Sequence, residues 1–300
     1  MAEVGLVSMK APTAQVANSI FGDKLYQKRA RLALPILVRQ AEAGSAIFYS
    51  DLAKELSIPN PRNLNFVLGS IGKGLKELSH QWGVDIPPIQ CIVCNKSTGL
   101  PGEGVGWFLD KTDKNNKLSF TGLSNKEKKA IVDNELIEIY LYRDWEKVLK
   151  ALSLKPVKNN FSDLVNAASH FRGGGESLAH KALKEYVAKH PEAIGLKDGN
   201  LGETEKPLPS GDCLDVSFST KKEWVAVEIK SRISDEADIL RGLFQCVKYR
   251  AVIEAVQASE GMSQSGRAVL VLESGFPAKL LPIKNILGIE VFEFVVPQNS

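Results

Sequence analysis

Two short runs of alternating residues, separated by four polar ones, constrain this chain more than any other feature. In Cys213 to Ser219 the apolar Leu214, Val216 and Phe218 alternate with Asp215, Ser217 and Ser219. In Trp224 to Lys230 the apolar Val225, Val227 and Ile229 alternate with Ala226, Glu228 and Lys230. A period of two places each set on its own face of a strand. The loop Thr220-Lys221-Lys222-Glu223 joins the runs as a hairpin, and loop length sets its register. Ser219 is then expected opposite Trp224, Ser217 opposite Ala226 and Asp215 opposite Glu228, with Lys230 two residues further on the same face.

Two carboxylates directly opposed across a sheet repel each other. A hard divalent cation offsets that repulsion, because Mg²⁺ takes oxygen ligands from one or two carboxylates, keeps several waters and binds substrate phosphate as well. Lys230 on the same face can orient an attacking water or neutralise charge that develops on the phosphate. Taken singly, an E-x-K triplet is common and reads as an exposed hairpin, so the surrounding elements decide its meaning.

From Phe161 onward the order is helix (Glu176 to Lys189), two strands, helix (Ala237 to Ala258), strand (Arg267 to Leu272), helix (Ala278 to Leu287) and strand (Ile289 to Val295). That alternation predicts an α/β fold with a mixed sheet flanked by helices. Glu176 follows Gly173-Gly174-Gly175 and shares a stripe with Ala179, Leu183, Tyr186 and Val187. In the helix after Lys230, Gln245 and Tyr249 stand four apart and emerge together, with Arg241 one turn earlier and Lys248 beside them.

Asp215 followed by Glu228-Ile229-Lys230 resembles the PD-(D/E)XK signature of restriction-endonuclease-like nucleases, with Leu214 where that name has proline. Gln245-x-x-x-Tyr249 is similar to the accessory motif of the RecB and lambda exonuclease branch. The likeness covers Phe171 to Val295. It implies Mg²⁺, with Mn²⁺ as a substitute, held by Asp215, Glu228 and Glu176. It implies catalysis by Asp215, Glu228, Lys230 and Gln245, and contacts to nucleic acid through Tyr249, Arg241 and Lys248. The expected reaction is hydrolysis of phosphodiester bonds, most naturally in DNA. The rival class is a non-catalytic DNA-binding or scaffold protein on a degenerate nuclease fold.

The break Lys155-Pro156-Val157-Lys158-Asn159-Asn160 predicts a boundary, giving domains 1–155 and 156–300. Before it, Asp23 to Ala43 reads as a helix kinked at Pro35, and Ser50 to Leu56 and Asn63 to Trp82 as two helices joined by the turn Ile58-Pro59-Asn60-Pro61. That arrangement predicts a helix-turn-helix. Ile89 to Cys94 reads as a strand, with Cys91 and Cys94 as strand residues rather than zinc ligands. Ser124 to Glu127 forms a capping box, and Asp144 to Leu152 a further helix. Ile86-Pro87-Pro88 with the Thr98 to Gly104 turn resembles winged-helix modules of prokaryotic defence nucleases over Ile47 to Phe108, and more distantly the DNA-binding half of alkyltransferase-like proteins. The resemblance implies a partner protein of a defence system and foreign DNA as target.

Bulk properties set wide bounds. The 300 residues are 44% hydrophobic and 24% charged, with a formal net charge of +3, which suits an ordinary folded protein and does not by itself announce a nucleic-acid binder. No apolar run approaches a membrane span, and Met1 to Ser19 lacks a secretory pattern, so a cytoplasmic location with four reduced cysteines is expected.

Overall fold

The computed structural model describes residues 16–109, 120–158, 161–169, 177–197, 201–220 and 222–297. The chain divides into two compact units, Met1–Lys158 and Asn159–Ser300, three residues beyond the break anticipated at Lys155.

The first unit is mainly helical. Helix α1 (Leu25–Glu42) runs through a buried Pro35 as one element. Strand β1 (Ile47–Phe48) leads into α2 (Tyr49–Glu55), and α3 (Leu64–Trp82) follows a 3₁₀ turn at Pro61–Asn63. Helix α3 ends at Gly83, whose φ of +64° is the left-handed cap conformation that glycine adopts without steric cost. Helix α2 begins one residue earlier than expected, with Phe48 rather than Ser50 at its cap position.

Ile89 to Cys94 departs from expectation. Ile89–Ile92 winds into a 3₁₀ turn closed by the Cys91 amide donating to the Pro88 carbonyl at 2.9 Å, and only β2 (Val93–Cys94) is extended. Every residue of the run is buried, so no period distinguished turn from strand. Strand β2 pairs in parallel with β1. Helix α4 (Asn125–Leu141) opens on the expected capping box of Ser124 and Glu127, and α5 (Trp145–Ala151) closes the unit. Their shared core includes Leu34, Leu37, Ile71, Leu75, Ile92 and Trp145.

The second unit is α/β. Helices α6 (Ser162–Ser169) and α7 (Leu178–Lys189) precede five strands: β3 (Glu203–Pro207), β4 (Cys213–Ser219), β5 (Trp224–Lys230), β6 (Gly266–Leu272) and β7 (Glu290–Phe292). Helix α8 (Glu236–Ser259) lies between β5 and β6, and α9 (Leu281–Leu287) between β6 and β7. The sheet order is β3-β4-β5-β6-β7, antiparallel across the first three strands and parallel across the last three. Leu183 and Val187 of α7 pack with Val216, Phe218, Val227, Ile229 and Val269. Leu240, Leu243 and Cys246 of α8 pack with Ala226, Ala268, Leu270 and Leu272. Each sheet face is therefore covered by its own helix, which is why β5 and β6 are buried on both sides.

Among the described residues, no helix is long and apolar enough to cross a membrane. All four cysteines are free thiols.

Candidate functional site

The hairpin register is the one read from its loop: Ser219 pairs with Trp224 and Ser217 with Ala226. The ladder stops one step later, at Val216 and Val227. Asp215 does not continue it as a paired residue opposite Glu228. Its side chain accepts a hydrogen bond from the Ile229 amide through Oδ2 at 2.8 Å, so a carboxylate takes the place of the next backbone acceptor. The other oxygen, Oδ1, lies 3.3 Å from His180 Nε2 of α7.

Glu228 stands on the β5 face that looks at α8 and is only 4% exposed. Burial, reinforced by the negative charge of Asp215, pushes its carboxyl up to about 7, although Lys230 and Tyr249 oppose the shift by bonding the carboxylate. Lys230 Nζ lies 3.0 Å from Glu228 Oε1 and 2.9 Å from Asp238 Oδ1. Burial alone would lower the lysine's affinity for its proton, but the charge of Glu228 and the bond to Asp238 more than compensate, so it is held as an ammonium.

Asp238 enters from the first turn of α8. Its amide donates to Asp235 Oδ1 at 2.8 Å, which fixes the helix start where β5 ends. Gly242, one turn further on, explains how closely α8 approaches. A Cβ there would stand 2.9 Å from Leu270 Cδ1 and 3.0 Å from Lys230 Cε, so the helix passes over the lysine stem only because that position lacks a side chain.

Gln245 and Tyr249 do emerge together, with Gln245 Nε2 donating to the tyrosine hydroxyl at 3.3 Å. The hydroxyl bonds Glu228 and lies 3.5 Å from the Cys213 carbonyl. Tyr249 is buried, so it lies beneath the carboxylates instead of presenting itself to a ligand. Gln245 Oε1 is buried and has no hydrogen-bond partner. The inner face of α8 runs through Leu240, Leu243, Cys246, Tyr249 and Ile253, and Phe244, expected to be inside, is 39% exposed.

The remaining expected site residues are more peripheral. Lys248 Nζ is tied to Asp212 Oδ1 at 2.7 Å, and that lysine, with Ser210, draws the Asp212 carboxyl below its ordinary range. Arg241 is exposed on α8. Glu176 lies outside the described residues.

Sequence reading missed His180 and Asp238. His180 had a signal: with Leu183 and Val187 it stands at i, i+3 and i+7, on the stripe that covers the sheet. Asp238 had none, since an acid in a first helical turn is ordinarily explained by the helix dipole.

The donor set can be weighed against a metal. Among the described residues no three His, Cys, Asp or Glu side chains gather as a metal cluster. Asp215 and Glu228 nevertheless meet the lower demand of Mg²⁺, which takes one or two carboxylates and fills its remaining positions with water and phosphate. The displaced Glu228 carboxyl fits as well, because a nearby cation would reverse the repulsion that raises it. His180 adds a nitrogen donor compatible with Mn²⁺. No family model matches the chain, and no curated protein or solved structure matches it either.

Proposed function

We propose that the second unit is a divalent-metal-dependent nuclease of the PD-(D/E)XK type, acting on phosphodiester bonds of DNA, with Mg²⁺ or Mn²⁺ as its cation. The observation that carries the reading is the meeting of Asp215, Glu228 and Lys230 at the carboxyl end of β5, the place where open α/β sheets bind their ligands.

Asp215 and Glu228 would hold the cation, which when bound supplies Lewis-acid polarisation of the phosphate and a more acidic water. The chain's own groups supply the rest. Lys230, fixed between Glu228 and Asp238, presents positive charge that stabilises the phosphate as negative charge accumulates in the transition state. Water oxygen attacks phosphorus, the bond to the leaving oxygen breaks, and the proton lost by water ends on that oxygen. Tyr249 and Gln245 act beneath the site as positioning residues through their bonds to Glu228 and to each other. The first unit, with α2 and α3 as the expected helix-turn-helix, would supply substrate or partner recognition, and a defence system acting on foreign DNA is the setting its resemblance implies.

The test is cleavage of linear, circular and single-stranded DNA by wild type, Asp215→Ala and Glu228→Ala, with Mg²⁺, Mn²⁺ or EDTA. Wild type is expected to cut only with metal, and both variants to be inactive while remaining folded. A variant that cuts at the wild-type rate overturns the assignment. A wild type that binds DNA and never cuts it identifies a scaffold.

A further inference from the structure

The side chain of Gln90 is only 4% exposed, and neither its amide nitrogen nor its amide oxygen has a hydrogen-bond partner. An amide buried with both ends unsatisfied is costly unless something else completes it. Gln90 lines two cavities of the first unit, one of about 310 Å³ and one of about 530 Å³.

The smaller cavity has the walls of a site for a flat ring. Tyr49 and Phe108 contribute aromatic surface, and Gly69, Gly102 and Gly104 leave the backbone approachable. A Cβ on Gly72 would stand 2.5 Å from Gln90 Nε2 and 2.6 Å from the Phe108 ring, so amide and ring are neighbours held in place over a glycine. Charge excludes a phosphate as the group recognised. The acid in the smaller cavity, Glu103, is paired with Lys128 at 2.6 Å. The larger cavity carries Asp85, Glu135, Glu138 and Asp144 against Lys76 and Arg143.

We propose that the smaller cavity binds a nucleobase, stacked on Phe108 or Tyr49, with Gln90 pairing to a base edge through one donated and one accepted hydrogen bond. A side-chain amide matches such an edge in both bonds at once, as in its pairing with adenine N6 and N7, and an aromatic platform beside it is how unstacked bases are held. The ligand is a free nucleoside or an unstacked base of a single strand, which share this chemistry. The proposal stands on the first unit alone and does not depend on the nuclease reading.

Calorimetric titration of the full chain with adenosine, with a short oligodeoxyadenylate and with the matching abasic strand tests it. Adenosine binding identifies a free nucleoside; binding of the oligodeoxyadenylate but not adenosine or the abasic strand identifies an unstacked base. Gln90→Leu is expected to weaken whichever probe binds by about tenfold while leaving Tm unchanged or raised, because the amide has no partner to lose. Gln90→Met serves as a second variant should leucine not fit. The proposal is overturned if neither base-containing probe binds, if the abasic strand alone matches the oligodeoxyadenylate and adenosine does not bind, or if both Gln90 variants bind as wild type does.

Discussion

At the scale of single residues, Glu228 is the group whose environment disagrees most with its solution chemistry. Its carboxyl, ordinarily near 4.5, is pushed up to about 7 by burial and by Asp215. A folded-state value above the unfolded one means that the folded chain holds the proton more tightly, so this stabilising contribution is full below about 4.5 and is lost as pH rises through 7. In EDTA, the wild-type Tm should therefore fall relative to that of Glu228→Gln between pH 4.5 and 7, and the variant should be the more stable chain at pH 8. Parallel Tm curves would show that Glu228 does not titrate in that window. Lys230 poses a different case, since removing it leaves Glu228 and Asp238 facing each other without their cation. Lys230→Met should cost about 3 kcal/mol of stability, the usual consequence of breaking a buried pair, and turnover should fall far more than DNA affinity. Adding Asp238→Asn should recover part of the stability and none of the cleavage, read by thermal melts beside single-turnover assays.

At the scale of elements, the closeness of α8 to β5 depends on Gly242. Alanine there gains about 1 kcal/mol in helix propensity but drives a methyl against Leu270 and the Lys230 stem, an overpacking that costs about 1–3 kcal/mol. Gly242→Ala should thus lower Tm modestly and cleavage more strongly, because the displaced atom belongs to the lysine. Retention of full cleavage would show that the helix can move off without disturbing the site. The hairpin, its register and the Gln245–Tyr249 pair were legible in the sequence because a period of two and a spacing of four translate directly into faces. Strand β3 was not. Its Glu203-Thr204-Glu205-Lys206-Pro207 run is charged and ends in proline, which reads as a loop and is also how an exposed edge strand resists pairing with another chain. Helix α6 escaped notice for a related reason, being eight residues long with only Leu164 and Ala168 reaching the core beside Phe161. The parting of β4 from β5 at Asp215 could not be foreseen either, since alternation continues through it and only the bond to the Ile229 amide reveals it.

At the scale of the whole molecule, two separate units predict two thermal transitions rather than one. The fragment Asn159 to Ser300 should melt as one of them and keep metal-dependent cleavage. If the first unit holds nucleic acid, that fragment should bind more weakly and with a shallower salt dependence, by nearly one unit of logarithmic slope for each phosphate it no longer neutralises. Equal affinity and slope in fragment and full chain would remove recognition from the first unit's duties. The order of the sheet carries one further consequence. Its five strands lie side by side in the same succession in which the chain supplies them. Each strand leaving a ribosome therefore finds its only upstream neighbour already made, and no early strand must wait with an open flank for a distant partner. Short-range pairing of this kind speeds folding and shortens the exposure of sticky edges, so the second unit can be laid down strand by strand while synthesis is still under way.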